Sequence, residues 1–256
     1  MTEKTYDDHI SDMTGPSNER LGAISAVRGI GEDAQAELKA FMGAVTAIPG
    51  IGSEAADQMA GWRADQSVPP AFRTSQADAV REAAKITLKA HHDAAVAHAN
   101  RYEQELINGM LPKRASDLNQ RLLVQGEIGN ILGDASGQDL VQKVAALLGQ
   151  SAERDSELLG SFGESLFKGR VKPVKGVDDP HKTLRTAAVE KYLARQDGSD
   201  KQQATRKALQ VYRASNALGS ITAFHRAAHM YLTREDGLAP SQVQVVGVTA
   251  RGRRVK

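Results

Sequence analysis

The chain contains no cysteine, few aromatic residues and no long apolar run. Without thiols it cannot form disulfide bridges, thiolate metal sites or cysteine nucleophiles. Aromatic residues make up only 4% of the sequence, which argues against a β-sandwich and against a surface that stacks many bases. No apolar run approaches the roughly 18 residues of a membrane span, and the acidic start MTEKTYDDHISD is not a secretory signal. We therefore expect a cytoplasmic protein that does not bind a membrane.

The sequence also lacks the short motifs of common active sites. It has no phosphate-loop lysine pattern, no nucleophile elbow and no paired carboxylates, and the glycines of GSFGESLFKGR have the wrong spacing for a nucleotide loop. His225 and His229 are four residues apart on a predicted helix, where two imidazoles could bind zinc, but the sequence places no third ligand. We predict no catalytic residue, no metal site, no cofactor and no enzymatic activity.

What the sequence does contain is a series of helical patterns. Leu38, Phe41, Met42 and Val45 recur at the spacing of an amphipathic helix. The longest pattern begins at Thr74 or Ser75 and continues for roughly 34 residues, or about 50 Å of helix. One face of it is a row of small residues that would let another backbone approach closely, so we expect a partner to pack along this helix. The row consists of Ala79, Ala83, Ile86, Ala90, Ala94 and Ala97.

Shorter helices are predicted over 116–132, 138–148, 152–167, 180–198 and 199–232, the last with a possible break at Gly219-Ser220. The final segment SQVQVVGVTARGRRVK alternates apolar and polar residues, which is typical of a strand, and ends in basic residues. The predicted fold class is mainly α: a multi-helix bundle with one long alanine-rich helix and a lone C-terminal β-strand and tail. Its predicted parts are a disordered N-terminus (1–16), a small helical unit with two Gly-Ile-Gly turns (17–66), the long helix with a helical bundle (67–168), a basic linker (169–180), a basic helical region (181–239) and the strand with its basic tail (240–256).

The stretch AIPGIGSEAADQM, residues 47–59, places Pro and Gly between two apolar helical segments. Pro49, Gly50, Ile51 and Gly52 predict a tight turn there. The sequence Gly29-Ile30-Gly31 occupies a similar position 21 residues earlier. We therefore expect two helices joined by a turn at each place.

This pattern resembles the helix-hairpin-helix motif around residues 45–59, with a weaker echo at 27–38. The resemblance implies that Gly50, Ile51 and Gly52 bind a DNA phosphate through backbone N–H groups, without reading the base sequence. The alternative is that both turns only join packed helices.

The charges are unevenly distributed along the chain. Residues 1–167 carry 15 Lys and Arg against 24 Asp and Glu, whereas residues 168–256 carry 18 against 7. A basic end of this kind either meets an anionic partner or complements the acidic body, within one molecule or between copies. The four basic residues of the tail are the strongest candidates for further phosphate contacts. They are Arg251, Arg253, Arg254 and Lys256.

Three classes of function are compatible with these features. The first is a non-enzymatic DNA-associated protein that contacts the phosphate backbone through the hairpin turn and the basic C-terminus. The second is an oligomeric assembly protein, such as a head, connector or scaffold component of a bacteriophage virion, in which case the protein would be found in the virion. Its partner would be another protein or a further copy, bound through the long helix and the C-terminal strand. The third, an enzyme with an unrecognised site, is the least favoured. The sequence favours the first class, because it alone accounts for the repeated turn.

Overall fold

A computed structural model of the chain describes residues 6–113, 115–172, 179–195 and 198–233. These residues form ten helices and no strand, so the prediction of a mainly α fold is confirmed. The predicted strand and basic tail, residues 240–256, lie outside the described residues. The helices are α1 (Tyr6–Ser25), α2 (Glu32–Ala64), α3 (Pro70–Met110), α4 (Leu118–Leu132), α5 (Gly137–Leu147), α6 (Ala152–Leu158), α7 (Ser161–Arg170), α8 (Pro180–Ala194), α9 (Asp200–Ala214) and α10 (Ala217–Thr233).

The chain divides into two compact units. Among the described residues, unit 1 comprises 6–28, 32–105 and 208–233, and unit 2 comprises 29–31, 106–113, 115–172, 179–195 and 198–207. In unit 1, α10 packs against α1 and α2, and α1 also packs against α2. In unit 2, α6 packs against α4, α5 and α7, while α8 packs against α5 and α7.

Helix α2 passes without a break through the predicted turn at residues 49–52, so that prediction is wrong. Pro49 lies inside the 33-residue helix and is buried, although a proline there removes a hydrogen bond and crowds the preceding turn. The reason for the continuous helix is packing, since the buried residues keep a spacing of three and four on both sides of the proline. They include Ala34, Leu38, Phe41, Val45, Ile48, Gly52, Ala55 and Met59. Burial of this face overrides the local preference for a turn.

The earlier turn at residues 29–31 is present between α1 and α2. Gly29 has a φ of +79°, in the left-handed region that glycine enters without strain. A Cβ atom at Gly29 would lie 3.2 Å from the Cβ of Ala204, so a side chain at this position would also crowd Ala204. The start of the chain differs from the prediction, because α1 begins at Tyr6 and residues 6–16 are helical rather than disordered.

The long helix α3 has 41 residues, which corresponds to about 62 Å, and it is slightly longer than predicted. In unit 1 its buried side contacts α2 and the end of α9. His98 Nδ1 lies 2.7 Å from Glu37 Oε2 of α2, and the Tyr212 hydroxyl donates to the Ala99 carbonyl at 3.0 Å. The hydrogen bond with His98 is the main cause that lowers the pKa of Glu37 below its ordinary value.

The single helix predicted over 152–167 is two helices, α6 and α7, separated at Leu159 and Gly160. Gly163 of α7 lies so close to the end of α6 that an added Cβ would be 1.8 Å from the Leu158 carbonyl oxygen. Helix α8 begins at residue 180 as predicted, where Asp179 caps it by accepting a hydrogen bond from the His181 N–H and Pro180 holds the first position. The last break falls at Ser215 and Asn216 rather than at Gly219-Ser220. Asn216 makes this break with a φ of +48°.

Candidate functional site

The three residues expected to bind phosphate lie within α2. Gly50, Ile51 and Gly52 are helical, and in a helix each N–H donates to the carbonyl four residues earlier. Gly52 is also buried against the core of unit 1. The free N–H groups on which the phosphate site depends are therefore not formed at this place. The other predicted contacts, Arg251, Arg253, Arg254 and Lys256, lie outside the described residues.

Several basic residues of α8 and α9 are occupied by contacts within unit 2. Arg206 is only 6% exposed, and its Nη1 donates to the Arg195 carbonyl at 2.7 Å. Arg195 in turn donates to the Gly149 carbonyl at 3.2 Å, and Arg185 donates to the Asn108 side chain at 3.0 Å. These arginines hold helices of unit 2 together, so their charges are used inside the unit.

Two carboxylates of α6 are buried in unit 2. Asp155 accepts hydrogen bonds from the Gly149 N–H at 2.9 and 3.0 Å and from the Tyr192 hydroxyl at 2.5 Å. Glu157 accepts from Arg121 Nε at 3.2 Å and from the Gln125 amide. Burial and the hydrogen bond to Asp155 raise the pKa of Tyr192. Buried carboxylates that are paired in this way connect helices, and we assign them a structural role.

Three histidines form a row in unit 1 that the sequence only partly predicts. His225 and His229 come from α10, as their spacing indicates, with ring centroids 6.0 Å apart. The ring of His92, on α3, has its centroid 4.8 Å from that of His225, and His92 Nδ1 lies 3.2 Å from Asp93 Oδ1. Within the described residues, no group of three or more histidine or acidic side chains is arranged to hold a metal ion.

The predicted alanine row of α3 lies on the exposed side of this helix. Ala79, Ala83, Ala90, Ala94 and Ala97 are all exposed, and Ile86 at the centre of the row is 72% exposed. The opposite side buries Ala84, Leu88, Ala95, Ala99 and Tyr102 in unit 1. No other part of the described chain covers the row, which leaves it available to a partner.

Charged residues flank one edge of the alanine row. Glu82 and Lys89 lie on this edge, seven residues or two helical turns apart, with Ile86 between them. Glu82 pairs with Lys85 at 2.7 Å, and Lys89 pairs with Asp93. All four residues lie on α3, and the side chains of Glu82 and Lys89 are 66% and 72% exposed.

A second exposed apolar surface, on α4, is not predicted by the sequence. Four of the eight exposed large apolar side chains of the described residues lie on this 15-residue helix. They are Leu118, Leu122, Leu123 and Ile131, which are 60%, 55%, 75% and 44% exposed. Several exposed large apolar side chains on one short helix are typical of surfaces that bind other proteins.

Most of the remaining residues of the outer face of α4 are small or uncharged. Asn119, Gln120, Gly126 and Asn130 are exposed there, and an added Cβ at Gly126 would meet nothing within 4 Å. The two charged residues of α4 are used within unit 2, where Arg121 pairs with Glu157 and Glu127 pairs with Arg154. The outer face therefore has Leu123 in its centre and apolar side chains along both edges, and its exposed charge, that of Glu127, is 51% exposed and paired with Arg154.

Comparison of the chain with known protein families, with curated proteins and with solved structures found no match. Among the described helices, none combines the length and the apolar character that crossing a membrane requires. The candidate sites therefore rest on the geometry of the exposed surfaces themselves.

Proposed function

We propose that the protein is a non-enzymatic assembly protein whose copies associate through the exposed side of α3. The observation that carries this proposal is the exposure of the alanine row, with Ile86 72% exposed at its centre. Burying an exposed isoleucine stabilises an association by about 1.5–3 kcal/mol. The alanines on either side leave room for a second helix to approach along several turns.

The charges beside the row favour a second copy of the chain as the partner. In an antiparallel pair of helices related by a two-fold axis, the same edge of each helix meets its equivalent. With the axis close to Ile86, Glu82 of one copy lies opposite Lys89 of the other, and the symmetry repeats the pair. Two complementary ion pairs would then flank an Ile86–Ile86 contact.

The ion pairs within α3 do not prevent Glu82 and Lys89 from pairing between copies. The pairs Glu82–Lys85 and Lys89–Asp93 are exposed contacts within α3, and exposed pairs of this kind contribute about 0–1 kcal/mol each. Losing these pairs when two copies associate therefore costs little free energy.

Charge reversal tests the proposal. Glu82→Lys and Lys89→Glu should each weaken self-association about tenfold, because each turns two attractions into two repulsions worth roughly 1–2 kcal/mol in total. Equimolar mixing of the two variants should restore association, since the lysine introduced at position 82 of one variant then faces the glutamate introduced at position 89 of the other. Sedimentation velocity over a range of concentrations measures both effects.

A matched control is Lys143→Glu on α5, where Lys143 also forms an exposed pair with an acidic residue four positions away, Asp139, at 3.1 Å. This variant should sediment like the parent. A parent protein that stays monomeric, or single variants that associate as well as the parent, would contradict the proposal.

Such a subunit fits the head, connector or scaffold component of a bacteriophage virion, the second class compatible with the sequence. Association with DNA stays a second proposal, supported by the predicted basic tail. We rank it lower, because α2 is continuous where the sequence predicts the hairpin and because the arginines of α8 and α9 contact their own unit.

A further inference from the structure

We infer that the outer face of α4 is a second self-association surface, which binds α4 of another copy in an antiparallel arrangement. The inference rests on the proposed function, since it gives each assembling copy a second contact. It concerns unit 2, whereas the alanine row of α3 lies in unit 1.

The residues along the centre of the face are arranged so that an antiparallel copy can pack against them. Asn119, Leu123, Gly126 and Asn130 follow one another at spacings of four, three and four, so they form one row along the helix. An antiparallel copy centred between residues 124 and 125 places Leu123 opposite Gly126 and Asn119 opposite Asn130. The two-fold symmetry produces each of these contacts twice.

Both contacts are complementary in chemistry. Leu123 is 75% exposed, and the space beside Gly126 is open, so the leucine of one copy fits against the glycine of the other. Asparagine side chains both donate and accept hydrogen bonds, which allows Asn119 and Asn130 to bond across the interface. Leu118 and Leu122 along one edge and Ile131 along the other would enlarge the apolar contact.

The charges of the face are few and already paired, which favours a second copy over a strongly charged partner. Arg121 and Glu127 already pair with Glu157 and Arg154, so two such faces meet without repulsion between like charges. A strongly charged partner would gain no ion pair here and would lose the hydration of its charges.

The size of the face indicates how it contributes. A helix of 15 residues is about 22 Å long and presents on the order of 300 Å², well below the roughly 800 Å² per partner of a stable interface. The α4 contact therefore links copies that are already paired through α3. Two different two-fold contacts per copy generate a closed ring or an open chain rather than a dimer.

Cysteine cross-linking tests the inference directly, because the chain has no cysteine of its own. Asn119→Cys and Asn130→Cys are prepared as separate full-length variants and mixed under mild oxidation. The mixture should form disulfide-linked dimers at least ten times faster than either variant alone. In the antiparallel arrangement, position 119 of one copy and position 119 of the other are about 16 Å apart along the helix, too far for a disulfide.

Two controls complete the experiment. Leu123→Gln in both variants should reduce cross-linking to the rate of the separate variants. A mixture of Asn119→Cys with Ala187→Cys, an exposed position of α8, should not exceed that rate either. Circular dichroism checks that each variant is folded.

Cross-linking and sedimentation test the two surfaces independently. Cross-linking in the mixture that is no faster than in the separate variants overturns the α4 inference, even if charge reversal on α3 abolishes dimers. Selective cross-linking through α4 in a protein whose sedimentation is indifferent to Glu82 and Lys89 supports the α4 contact and contradicts the α3 proposal. Leu123→Gln should leave the α3 dimer intact and remove only larger species.

Discussion

At the scale of single residues, Gly163 is a position where the fold tolerates no side chain. An added Cβ would lie 1.8 Å from the Leu158 carbonyl oxygen and 2.6 Å from its carbon. The obstacle is backbone, which cannot rotate away as a flexible side chain can. Gly163→Ala should therefore lower the free energy of unfolding by about 2–3 kcal/mol, measured by urea unfolding followed by circular dichroism.

Gly169 provides the matched control within the same helix α7. An added Cβ there would meet nothing within 4 Å, so Gly169→Ala gains helix propensity without a clash and should raise the free energy of unfolding by up to about 1 kcal/mol. If both alanines had the same effect, the close approach of α7 to Leu158 would be excluded.

Single residues differ in how far the sequence predicts their role. Asp179 and Pro180 mark the start of α8 in the sequence because capping depends on neighbours in the chain. The need for glycine at position 163 depends on the Leu158 carbonyl of another helix, and no local pattern contains that information. The break at Asn216 escapes prediction because glycine and serine at 219 and 220 are the more common break signals.

At the scale of secondary structure elements, α2 shows a local signal that is overridden by packing. The Pro-Gly-Ile-Gly sequence predicts a turn, but the buried positions before and after it belong to one uninterrupted row of a helix. That row is present in the sequence and, taken over its whole length, predicts the continuous helix. The resemblance to a hairpin motif depends on four residues, whereas the buried row extends over the whole of α2.

Alanine at position 50 tests whether α2 is continuous through the Pro-Gly-Ile-Gly sequence. Gly50 is exposed, its φ is not positive, and an added Cβ would meet nothing within 4 Å. In a continuous helix, Gly50→Ala should raise the free energy of unfolding by about 1 kcal/mol. In a hairpin turn that requires positive φ, the same change would lower it.

Gly29→Ala is the control for a glycine in a true turn. Its φ of +79° and the 3.2 Å approach to Ala204 predict a loss of about 1–3 kcal/mol in the same unfolding experiment. Opposite signs for the two variants would confirm that only the first Gly-Ile-Gly sequence forms a turn. A loss at Gly50 as large as that at Gly29 would restore the predicted hairpin.

The exposed surfaces differ in how far the sequence predicts them. The alanine row of α3 is regular over five turns, so the sequence alone identifies its face. The outer face of α4 escapes prediction because apolar residues occur on both sides of that helix, with Ile128 and Leu132 buried and Leu122 and Leu123 exposed. Periodicity cannot decide which side faces the core when both are apolar.

At the scale of the whole molecule, the row of histidines in unit 1 makes stability depend on pH. Burial, and then the positive charges that His92 and His229 can carry, lower the pKa of His225 below its ordinary value of 6.5. Lys89 of α3 acts in the same direction, whereas Asp93 of α3 opposes it. None of these groups lies on α1 or α2, the other helices that pack against α10 in the described structure.

The direction of the effect follows from proton binding in the two states. Because the pKa of His225 is lower in the folded protein, the unfolded chain binds its proton first as the pH falls below 6.5. The free energy of unfolding is therefore fully retained above pH 6.5 and decreases as the pH falls from 6.5 through the folded pKa of His225. His225→Gln, which cannot titrate, should show a smaller decrease over this range than the parent.

Urea unfolding at several pH values between about 7.5 and 5 measures this difference, with His91→Gln, outside the three-ring row, as the control. The control should follow the parent, since the ring of His91 is not in contact with the row that His92, His225 and His229 form. A positive charge on His225 would face the rings of His92 and His229, whose centroids lie 4.8 and 6.0 Å away, so the loss should appear as weaker association of α10 with α3. A parent whose stability is the same at both ends of the range, or a His225→Gln variant that loses as much as the parent, would show that the histidine row does not control the stability of unit 1.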